Sequence, residues 1–417
     1  MIKKKCRLCK SKNLKIFLDL GHHPPSDQFI EKTKIDEKLL YYPLKVFNCI
    51  NCGFKQLNYV VDPKILYQEN YPYESSLTKD GDKHFKEFAD SCKKRFLLKD
   101  QDFVVDIGSN VGNLLSHFKK INIKTLGIDP ASNICKIANK KGIKTINSFF
   151  DKAICQKIKK KYGKPKIITG SNVFAHIDDL EEFFRCIKIL IKNDGILVIE
   201  VPYFLNLIKN LEYDTIYHEH LSYITLIPLI KFLDKKNLEI FDVEEKDIHG
   251  GSIRIFISFK NIFKLSLNLK KILKKEKKSK LNDMKNLLNF AQKVKDNRMQ
   301  LLKLLIKFKS KNKKIIALSA PAKGMTLLNY CKIDKGFIDF ATEKSKLKIN
   351  TFAPGVNVPV YADSEILKKK PNYALILAWN FYKEIIRNNS RFFDIGGKFI
   401  VPIPKPRIIS KKNFLND

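Results

Sequence analysis

The heptad 217–223, Tyr-His-Glu-His-Leu-Ser-Tyr, places two imidazoles, a carboxylate and two phenols within seven residues. Imidazole titrates close to neutral pH, and carboxyl and phenol groups beside it can accept, hold or donate a proton. This density of proton-handling groups predicts acid/base chemistry. A hydrogen-bonded helix cap or a metal site remains the alternative, because clusters of histidine and glutamate also serve structural purposes.

Four cysteines form two Cys-x2-Cys pairs, Cys6 with Cys9 and Cys49 with Cys52. Two such pairs supply the four thiolates that Zn²⁺ binds tetrahedrally, which leaves no position open for water or substrate. We therefore predict a structural zinc site, although the 39 residues between the pairs exceed the usual ribbon spacing. Redox use of one pair is the alternative.

A glycine-bearing turn follows an apolar stretch in the segment 102–112, which contains Asp-x-Gly-x3-Gly. A strand that runs into such a turn and then into a helix is typical of the first βα turn of a nucleotide-binding α/β fold. The next apolar stretch, 125–128, ends at an aspartate, where an acidic side chain would hold ribose hydroxyls. Together these features predict the S-adenosylmethionine site of a class I methyltransferase. The predicted cofactor-binding residues are Asp106, Gly108, Asn110 and Gly112 near the methionine end and Asp129 at the ribose.

His176 lies in the loop 170–179, between a predicted strand and a helix that begins at Leu180. Ligands of open α/β folds bind at the carboxyl edge of the sheet, where such loops lie. We therefore expect His176 at the mouth of the cofactor cleft. A cap for the following helix is the alternative.

The composition gives a formal net charge of +36, which would attract phosphates. The lysines are spread along the whole chain and form no patch, so we do not predict nucleic acid binding. No uncharged apolar run of about 18 residues is present, and no signal peptide is indicated. We expect a cytoplasmic protein without a membrane partner, and a monomer.

Seven motifs occur in an order that is specific to one family, and the chain resembles that family, the nucleotide-sugar C-methyltransferases, over essentially its whole length. These enzymes are typified by the C-3 methyltransferases of deoxysugar antibiotic biosynthesis. The motifs are the paired Cys-x2-Cys, Asp-Ile-Gly-Ser-Asn-x-Gly from 106, Asn-Val-Phe-Ala-His-Ile-Asp-Asp from 172, the heptad, His-Gly-Gly-Ser-x-Arg from 249, Ala-Pro-Ala-Lys-Gly-x-Thr-Leu-Leu-Asn from 320 and Leu-Ala-Trp-Asn from 377.

The resemblance implies an α/β enzyme with a small N-terminal zinc-binding domain, a central Rossmann-like class I methyltransferase domain and a second Rossmann-like domain at the C-terminus. The implied reaction is methylation of C-3 of a nucleotide-diphosphate 4-ketosugar, with S-adenosylmethionine and zinc as cofactors. The expected domains are a zinc-binding domain at residues 1–66, a methyltransferase domain at 67–260 and a C-terminal Rossmann-like domain at 312–417, with a helical linker at 261–311 before the last one.

The resemblance also assigns roles to individual residues. His220 would remove the proton from C-3. Tyr217 and Glu219 would orient the His220 ring or hold the sugar. His176 would contact the substrate, and Tyr71 or Tyr73, from the aromatic connector at residues 67–76, would cover the site.

The C-terminal region leaves further choices open. A predicted helix starts with Lys323 and Gly324. These residues either bind a phosphate at the helix N-terminus or serve packing alone. The loop 341–348 departs from the basic, glycine-bearing loop expected of the family, which puts a nucleotide contact from it in doubt. Methylation of RNA, or O-methylation of a sugar, is the alternative function.

Overall fold

The computed structural model describes residues 1–67, 71–72, 74–75, 79–248 and 250–415. The strands in these ranges are β1 Leu14–His23, β2 Ile30–Glu31, β3 Tyr42–Cys49, β4 Lys55–Leu57, β5 Phe103–Ile107, β6 Lys124–Asp129, β7 Thr145–Asn147, β8 Ile167–Ser171, β9 Ile196–Pro202, β10 Ser222–Tyr223, β11 Leu238–Lys246, β12 Ser252–Phe259, β13 Ile315–Leu318, β14 Ala341–Glu343, β15 Thr351–Phe352, β16 Val360–Ala362, β17 Tyr373–Ile376, β18 Lys398–Val401 and β19 Arg407–Ile409.

Helices separate most of these strands, and single 3₁₀ turns lie at Lys32–Lys34, Phe174–His176, Tyr213–Thr215 and Trp379–Phe381. The α-helices of the described residues are α1 Pro63–Tyr67, α2 Lys79–Phe96, α3 Asn113–Lys120, α4 Ser132–Lys140, α5 Lys152–Tyr162, α6 Leu180–Leu190, α7 Phe204–Asn210, α8 Leu226–Asp234, α9 Leu267–Lys278, α10 Met284–Lys309, α11 Ala322–Cys331, α12 Glu365–Lys369, α13 Tyr382–Asn388, α14 Arg391–Asp394 and α15 Lys411–Leu415.

The central sheet has the strand order β11-β12-β9-β8-β5-β6-β7. Its strands are parallel except β12, which runs antiparallel to both neighbours. All five residues of β5 are buried, as expected for a strand covered by helices on both faces. The strand order reverses at β5 and β8, and a ligand cleft opens at such a switch point. The predicted central Rossmann-like fold is confirmed.

The C-terminal sheet repeats this arrangement, with the order β16-β14-β13-β17-β18-β19. Only β19 is antiparallel to its neighbour among the described strands of this sheet. The helices α9 and α10 precede it, and α10 buries Leu301 and Leu305 completely. The second Rossmann-like fold predicted at the C-terminus is therefore present.

The N-terminal sheet is antiparallel and has the order β1-β3-β4-β10. Its last strand, Ser222–Tyr223, is the end of the heptad and pairs with β4. The backbone N–H of Leu57 also donates to the carbonyl of Leu221 over 2.9 Å. The heptad is thus joined by backbone hydrogen bonds to the sheet that carries the cysteine pairs.

Within the described part of the chain, no helix combines the length and apolar character needed to cross a membrane.

Candidate active site

The four cysteines converge at one edge of the N-terminal sheet. Their sulfur atoms all lie within 4.8 Å of one another, with 3.6 Å between Cys6 and Cys52 and 3.5 Å between Cys9 and Cys49. Zinc–sulfur bonds of about 2.3 Å in a tetrahedron place sulfur atoms about 3.8 Å apart, so this arrangement fits the ion. The group offers four sulfur ligands, as a closed structural site requires.

Both cysteine pairs are shaped by a left-handed residue directly after the second cysteine. Lys10 has φ 62° and Gly53 has φ 77°. In each pair the backbone turns back on the first cysteine, with N–H of Lys10 donating to the carbonyl of Cys6 and N–H of Gly53 to that of Cys49. The local turns therefore bring both sulfurs of each pair to the same side.

The predicted cofactor turn lies at the carboxyl end of β5. Gly108, Asn110 and Gly112 all have left-handed backbones, with φ of 64°, 50° and 79°. A Cβ on Gly108 would lie 2.9 Å from a methyl group of Val173, so both the conformation and the close contact require glycine there. The turn is compact enough for its backbone to approach a ligand.

Asp129, at the end of β6, holds this turn. Its Oδ2 accepts from the backbone N–H of Asn110 and its Oδ1 from that of Ala131, each over 2.9 Å. The carboxylate therefore lies beside the turn, at the position expected for a ribose contact. Burial raises the pKa of Asp129, and these two hydrogen bonds oppose the rise.

Asp106 is buried beneath the turn, at the end of β5. The hydroxyl of Thr169 donates to its Oδ1 over 2.7 Å. Burial raises the pKa of Asp106 to about 7 against this hydrogen bond. The turn therefore rests on a carboxyl group that titrates near neutral pH.

The connector that precedes α2 is fastened to the cofactor turn by asparagines. Asn110 Oδ1 accepts from the N–H of Ser75 over 2.8 Å, and Asn113 Nδ2 donates to the carbonyl of the same residue over 2.5 Å. Asn133 Nδ2 donates to the carbonyl of Tyr71 over 3.0 Å. Tyr71 is thereby fixed above the carboxyl edge of the sheet, whereas Tyr73 lies outside the described residues.

His220 lies at the centre of a cluster of rings. Its Nδ1 contacts the carbonyl oxygen of Thr215 at 2.7 Å, so Nδ1 is the protonated nitrogen of the neutral ring and Nε2 carries the lone pair. The ring of Tyr217 lies 4.0 Å from it between centroids, and that of His176 lies 5.2 Å away. The structure therefore brings these three predicted residues together.

His176 faces His220 from the loop after β8. Its Nε2 is shielded from solvent and has no hydrogen-bond partner among the described residues. Burial, followed by the proximity of His220, lowers the pKa of His176 well below its usual value. The ring is therefore neutral, and a bound molecule could satisfy its buried nitrogen. The ring of Tyr67 also stacks on that of His176, with centroids 5.9 Å apart.

Glu219 is buried beside the connector. The hydroxyl of Tyr71 donates to Glu219 Oε2 over 3.4 Å. Burial is the main cause that raises the pKa of Glu219 well above its usual value, and Asp27 raises it further. The raised pKa favours the protonated form of this side chain, which can donate a hydrogen bond.

Not every residue of the heptad enters this cluster. His218 turns toward the N-terminal sheet, where its Nε2 lies 3.2 Å from the carbonyl oxygen of Tyr42. Burial lowers its pKa to about 4. His218 is therefore a packing residue. Within the heptad, Tyr217, Glu219 and His220 face the site, whereas His218 faces the N-terminal sheet.

The C-terminal motifs brace the segment before the heptad. Thr326 donates to the carbonyl of Ile216 over 3.0 Å, and Trp379 Nε1 donates to Asp214 Oδ2 over 2.7 Å. The ammonium of Lys323 lies 3.5 Å from the same Asp214 oxygen and 3.1 Å from Asn380 Oδ1. The packing interpretation of Lys323 fits these contacts.

The motif from 249 also supports the sheet. His249 lies outside the described residues, but Arg254 is fully buried and pairs with Glu200 of the neighbouring strand at 2.8 Å. His84 Nε2 lies 2.6 Å from the other oxygen of Glu200. This buried group of charges holds the start of α2 against the central sheet.

Several residues of the site carried no signal in the sequence. Tyr67 and Asp27 stand outside the recognised motifs. Thr215 contributes only its carbonyl, which any residue could supply. Only the contacts made by folding reveal them.

Comparison with known proteins matches three parts of the chain to family models. Residues 6–67 match a family model described as a zinc binding domain, residues 82–243 a methyltransferase domain and residues 247–404 a C-methyltransferase C-terminal domain. The C-methyltransferase NovU of Streptomyces niveus is 31% identical over 411 residues, which cover 98% of each chain.

Two solved structures are similar to part of this chain. A methyltransferase from Anabaena variabilis matches 43% of this chain and 86% of its own at 14% identity, with a TM-score of 0.35. One from Clostridium acetobutylicum matches 42% and 91% at 14% identity, with a TM-score of 0.34.

The family models and the central fold define an S-adenosylmethionine-dependent methyltransferase with a zinc-binding domain. The full-length relative specifies the class further. The chain belongs to the C-methyltransferase family that includes NovU.

Proposed function

We propose that this enzyme methylates C-3 of a nucleotide-linked 4-ketosugar, the carbon next to the ketone. The observation that carries the proposal is the pairing of His220 with His176, whose ring centroids lie 5.2 Å apart, and the buried Nε2 of His176, which lacks a partner among the described residues. A polyhydroxylated ketone supplies both a hydroxyl for that nitrogen and an acidic C–H for a base. The resemblance of the chain's motifs to those of the nucleotide-sugar C-methyltransferases motivates the choice of a nucleotide sugar.

His220 is the proposed base. Its Nδ1–H is held by the carbonyl of Thr215, which directs the lone pair of Nε2 toward the site and stabilises the imidazolium that forms after proton transfer. Tyr217 packs on the ring and restricts its rotation. The base is therefore fixed in one tautomer before the substrate binds.

Glu219 is the proposed hydrogen-bond donor to the ketone. A neutral carboxylic acid can donate to an oxygen on which negative charge develops, and such donors stabilise an enolate in a site without water. Tyr71 holds the acid in place through its hydroxyl. Removal of the C-3 proton thus gives an enolate whose charge lies on an oxygen beside Glu219.

The cofactor turn and Asp129 would hold S-adenosylmethionine, with Gly108, Asn110 and Gly112 near the methionine and Asp106 beneath them. When bound, S-adenosylmethionine supplies the methyl group that the enolate carbon takes up. The zinc held by Cys6, Cys9, Cys49 and Cys52 stabilises the fold and takes no part in this chemistry.

Methyl transfer can be tested with labelled S-adenosylmethionine and three acceptors: a panel of nucleotide 4-ketosugars, the corresponding nucleotide sugars without a ketone, and bulk RNA. We expect label only in the first, on carbon. Label on oxygen in the second would indicate sugar O-methylation. Label only in RNA would overturn the proposal.

A further inference from the structure

The backbone carbonyl that contacts the proposed base belongs to Thr215, and the C-terminal domain contacts the chain on both sides of this residue. On one side, Trp379 Nε1 donates to Asp214 Oδ2 over 2.7 Å. On the other side, the hydroxyl of Thr326 donates to the carbonyl of Ile216 over 3.0 Å. Thr215 therefore lies between two residues that are each hydrogen-bonded to the C-terminal domain.

A third hydrogen bond holds the start of the same turn. The hydroxyl of Tyr213 donates to Asn297 Oδ1 over 2.8 Å. Asn297, in α10, in turn donates from Nδ2 to the carbonyls of Pro402 and Pro404 over 2.9 and 3.0 Å. The residues at 213, 214 and 216, which surround Thr215, are thus all bonded to elements that follow the central domain in the chain.

These contacts are made by buried polar groups. Asp214 and Thr326 have no exposed surface, and Trp379 is only 7% exposed. When one partner of a buried hydrogen bond is removed, the other partner is left unsatisfied at a cost in free energy. The turn would therefore rearrange to find a new partner if either contact were lost.

The plane of one peptide group decides where the Thr215 carbonyl points. This carbonyl and the N–H of Ile216 belong to the same planar unit, so the two cannot turn separately. The N–H of Ile216 donates to the carbonyl of Tyr213 over 3.1 Å, and the next carbonyl along the chain accepts from Thr326. Displacing Ile216 or Asp214 would therefore turn the Thr215 carbonyl away from the imidazole.

The proposed base needs this carbonyl to keep its proton on the correct nitrogen. A neutral imidazole carries its proton on either Nδ1 or Nε2, and the hydrogen bond made by one nitrogen selects the tautomer. The contact of 2.7 Å between His220 Nδ1 and the Thr215 carbonyl selects the Nδ1–H form. The opposite tautomer has a proton on Nε2, and that nitrogen then cannot accept one from C-3.

We infer that Thr326 and Trp379 are positioning residues for His220. They hold the two residues that flank Thr215, and the Thr215 carbonyl keeps the imidazole in the tautomer that accepts a proton. The inference rests on the proposed function. Through these contacts the C-terminal domain sets the state of a base that belongs to the central domain, which gives the motifs from 320 and 377 a role in catalysis.

The kinetic test compares Thr326→Val, which removes the hydroxyl and keeps the shape, with Thr326→Ser, which keeps the hydroxyl. We expect valine to lower kcat by about 10-fold to 10²-fold, with KM for the sugar and cofactor affinity nearly unchanged, because the base is displaced. Serine should restore most of the turnover. Thr145→Val is the matched control, since this buried threonine donates to the carbonyl of Ile143 over 3.1 Å in the central domain.

Trp379→Phe tests the other side of the turn, because it keeps an aromatic ring and removes the N–H donor. Its kcat should also fall, whereas Thr145→Val should keep the wild-type value. Equal losses of turnover in Thr326→Val and Thr326→Ser, or in Thr326→Val and Thr145→Val, would contradict the inference.

Nitrogen-15 spectra of histidine-labelled protein read the tautomer directly, without substrate and at alkaline pH, where the ring is neutral. His220→Asn identifies the signals of this ring by their loss. We expect the Nδ1–H form in the wild type and in Thr326→Ser, and the appearance of the Nε2–H form in Thr326→Val and Trp379→Phe. An unchanged tautomer in both of these variants would overturn the inference, whatever their turnover. A changed tautomer in a protein that methylates no nucleotide ketosugar would support the positioning of the ring and overturn the proposed function instead.

Discussion

Arg7, which lies between Cys6 and Cys9, donates from its Nε to Asp178 Oδ1 over 3.2 Å. Its side chain is almost fully buried, and a second nitrogen donates to the carbonyl of Leu57 over 2.6 Å. Asp178 is two residues from His176. The zinc-binding domain is thus linked directly to the loop that carries a proposed substrate contact, in addition to its backbone pairing with the heptad.

Replacing Asp178 with Ala should therefore affect both stability and catalysis. Loss of this carboxylate leaves the buried guanidinium without its ionic partner, and we expect a loss of about 1–3 kcal/mol in the free energy of unfolding. Displacement of His176 should also raise KM for the sugar. Lys3→Met, which removes the half-buried second partner of the same aspartate, is the control. Equal effects of the two variants would contradict the link.

The zinc site predicts one zinc ion per chain in protein purified without chelators. Cys49→Ser should abolish this content and lower the thermal unfolding midpoint, because metal binding supplies folding free energy. Cys155→Ser, at a buried cysteine outside this group of four, should leave the zinc content unchanged. Wild-type protein without zinc by elemental analysis would contradict the assignment.

Asp129→Ala should weaken S-adenosylmethionine binding by about 1–3 kcal/mol, since it removes the proposed ribose partner and two hydrogen bonds that hold the turn. Calorimetric titration measures this loss. Asp194→Ala, an exposed residue of the same domain, is the matched control. Full affinity in the Asp129 variant would place the cofactor elsewhere.

Asp106 should make stability depend on pH. Its pKa of about 7 in the folded protein exceeds the unfolded value of about 3.9, so the folded state binds more protons between these values. The free energy of unfolding therefore falls as the pH rises from about 4 to about 7, by up to about 4 kcal/mol from this group. Asp106→Asn lacks this contribution.

Thermal unfolding of cofactor-free protein across this range checks the sign. The midpoint of the wild type should fall relative to that of Asp106→Asn as the pH rises. The midpoint of Asp234→Asn, which changes an exposed aspartate, should vary with pH in parallel with that of the wild type. If the unfolding midpoint of Asp106→Asn instead changed with pH in parallel with that of the wild type, the Asp106 carboxyl would already be ionised at low pH.

The local parts of this structure could be predicted from sequence, because short-range chemistry encodes them. The cysteine pairs, the glycine turn with Asp129, and the alternation of strands and helices each depend on neighbouring residues. The role of His218 could not be predicted, since only the pairing of β10 with β4 decides that its ring faces the N-terminal sheet. The same holds for Asp27 and Lys348, which are separated by 321 positions and meet only in the folded chain.

His220→Asn should lower turnover by about 10²–10⁴ while cofactor affinity stays unchanged, the usual scale for a lost general base. Tyr217→Phe and Glu219→Gln should cost less, because each keeps the ring or the hydrogen bond that positions the reacting groups. His218→Asn is the matched control within the heptad, since its ring lies outside the site. Equal losses in the two histidine variants would indicate a structural effect.

Solvent deuterium exchange at C-3 tests proton removal by His220 most directly. With S-adenosylhomocysteine bound, no methyl group is available, so the enolate can only return to the ketone and take up deuterium. We predict exchange in the wild type and in His218→Asn, and its loss in His220→Asn. Exchange at the wild-type rate in His220→Asn would contradict the assignment and move the base to another group of the site.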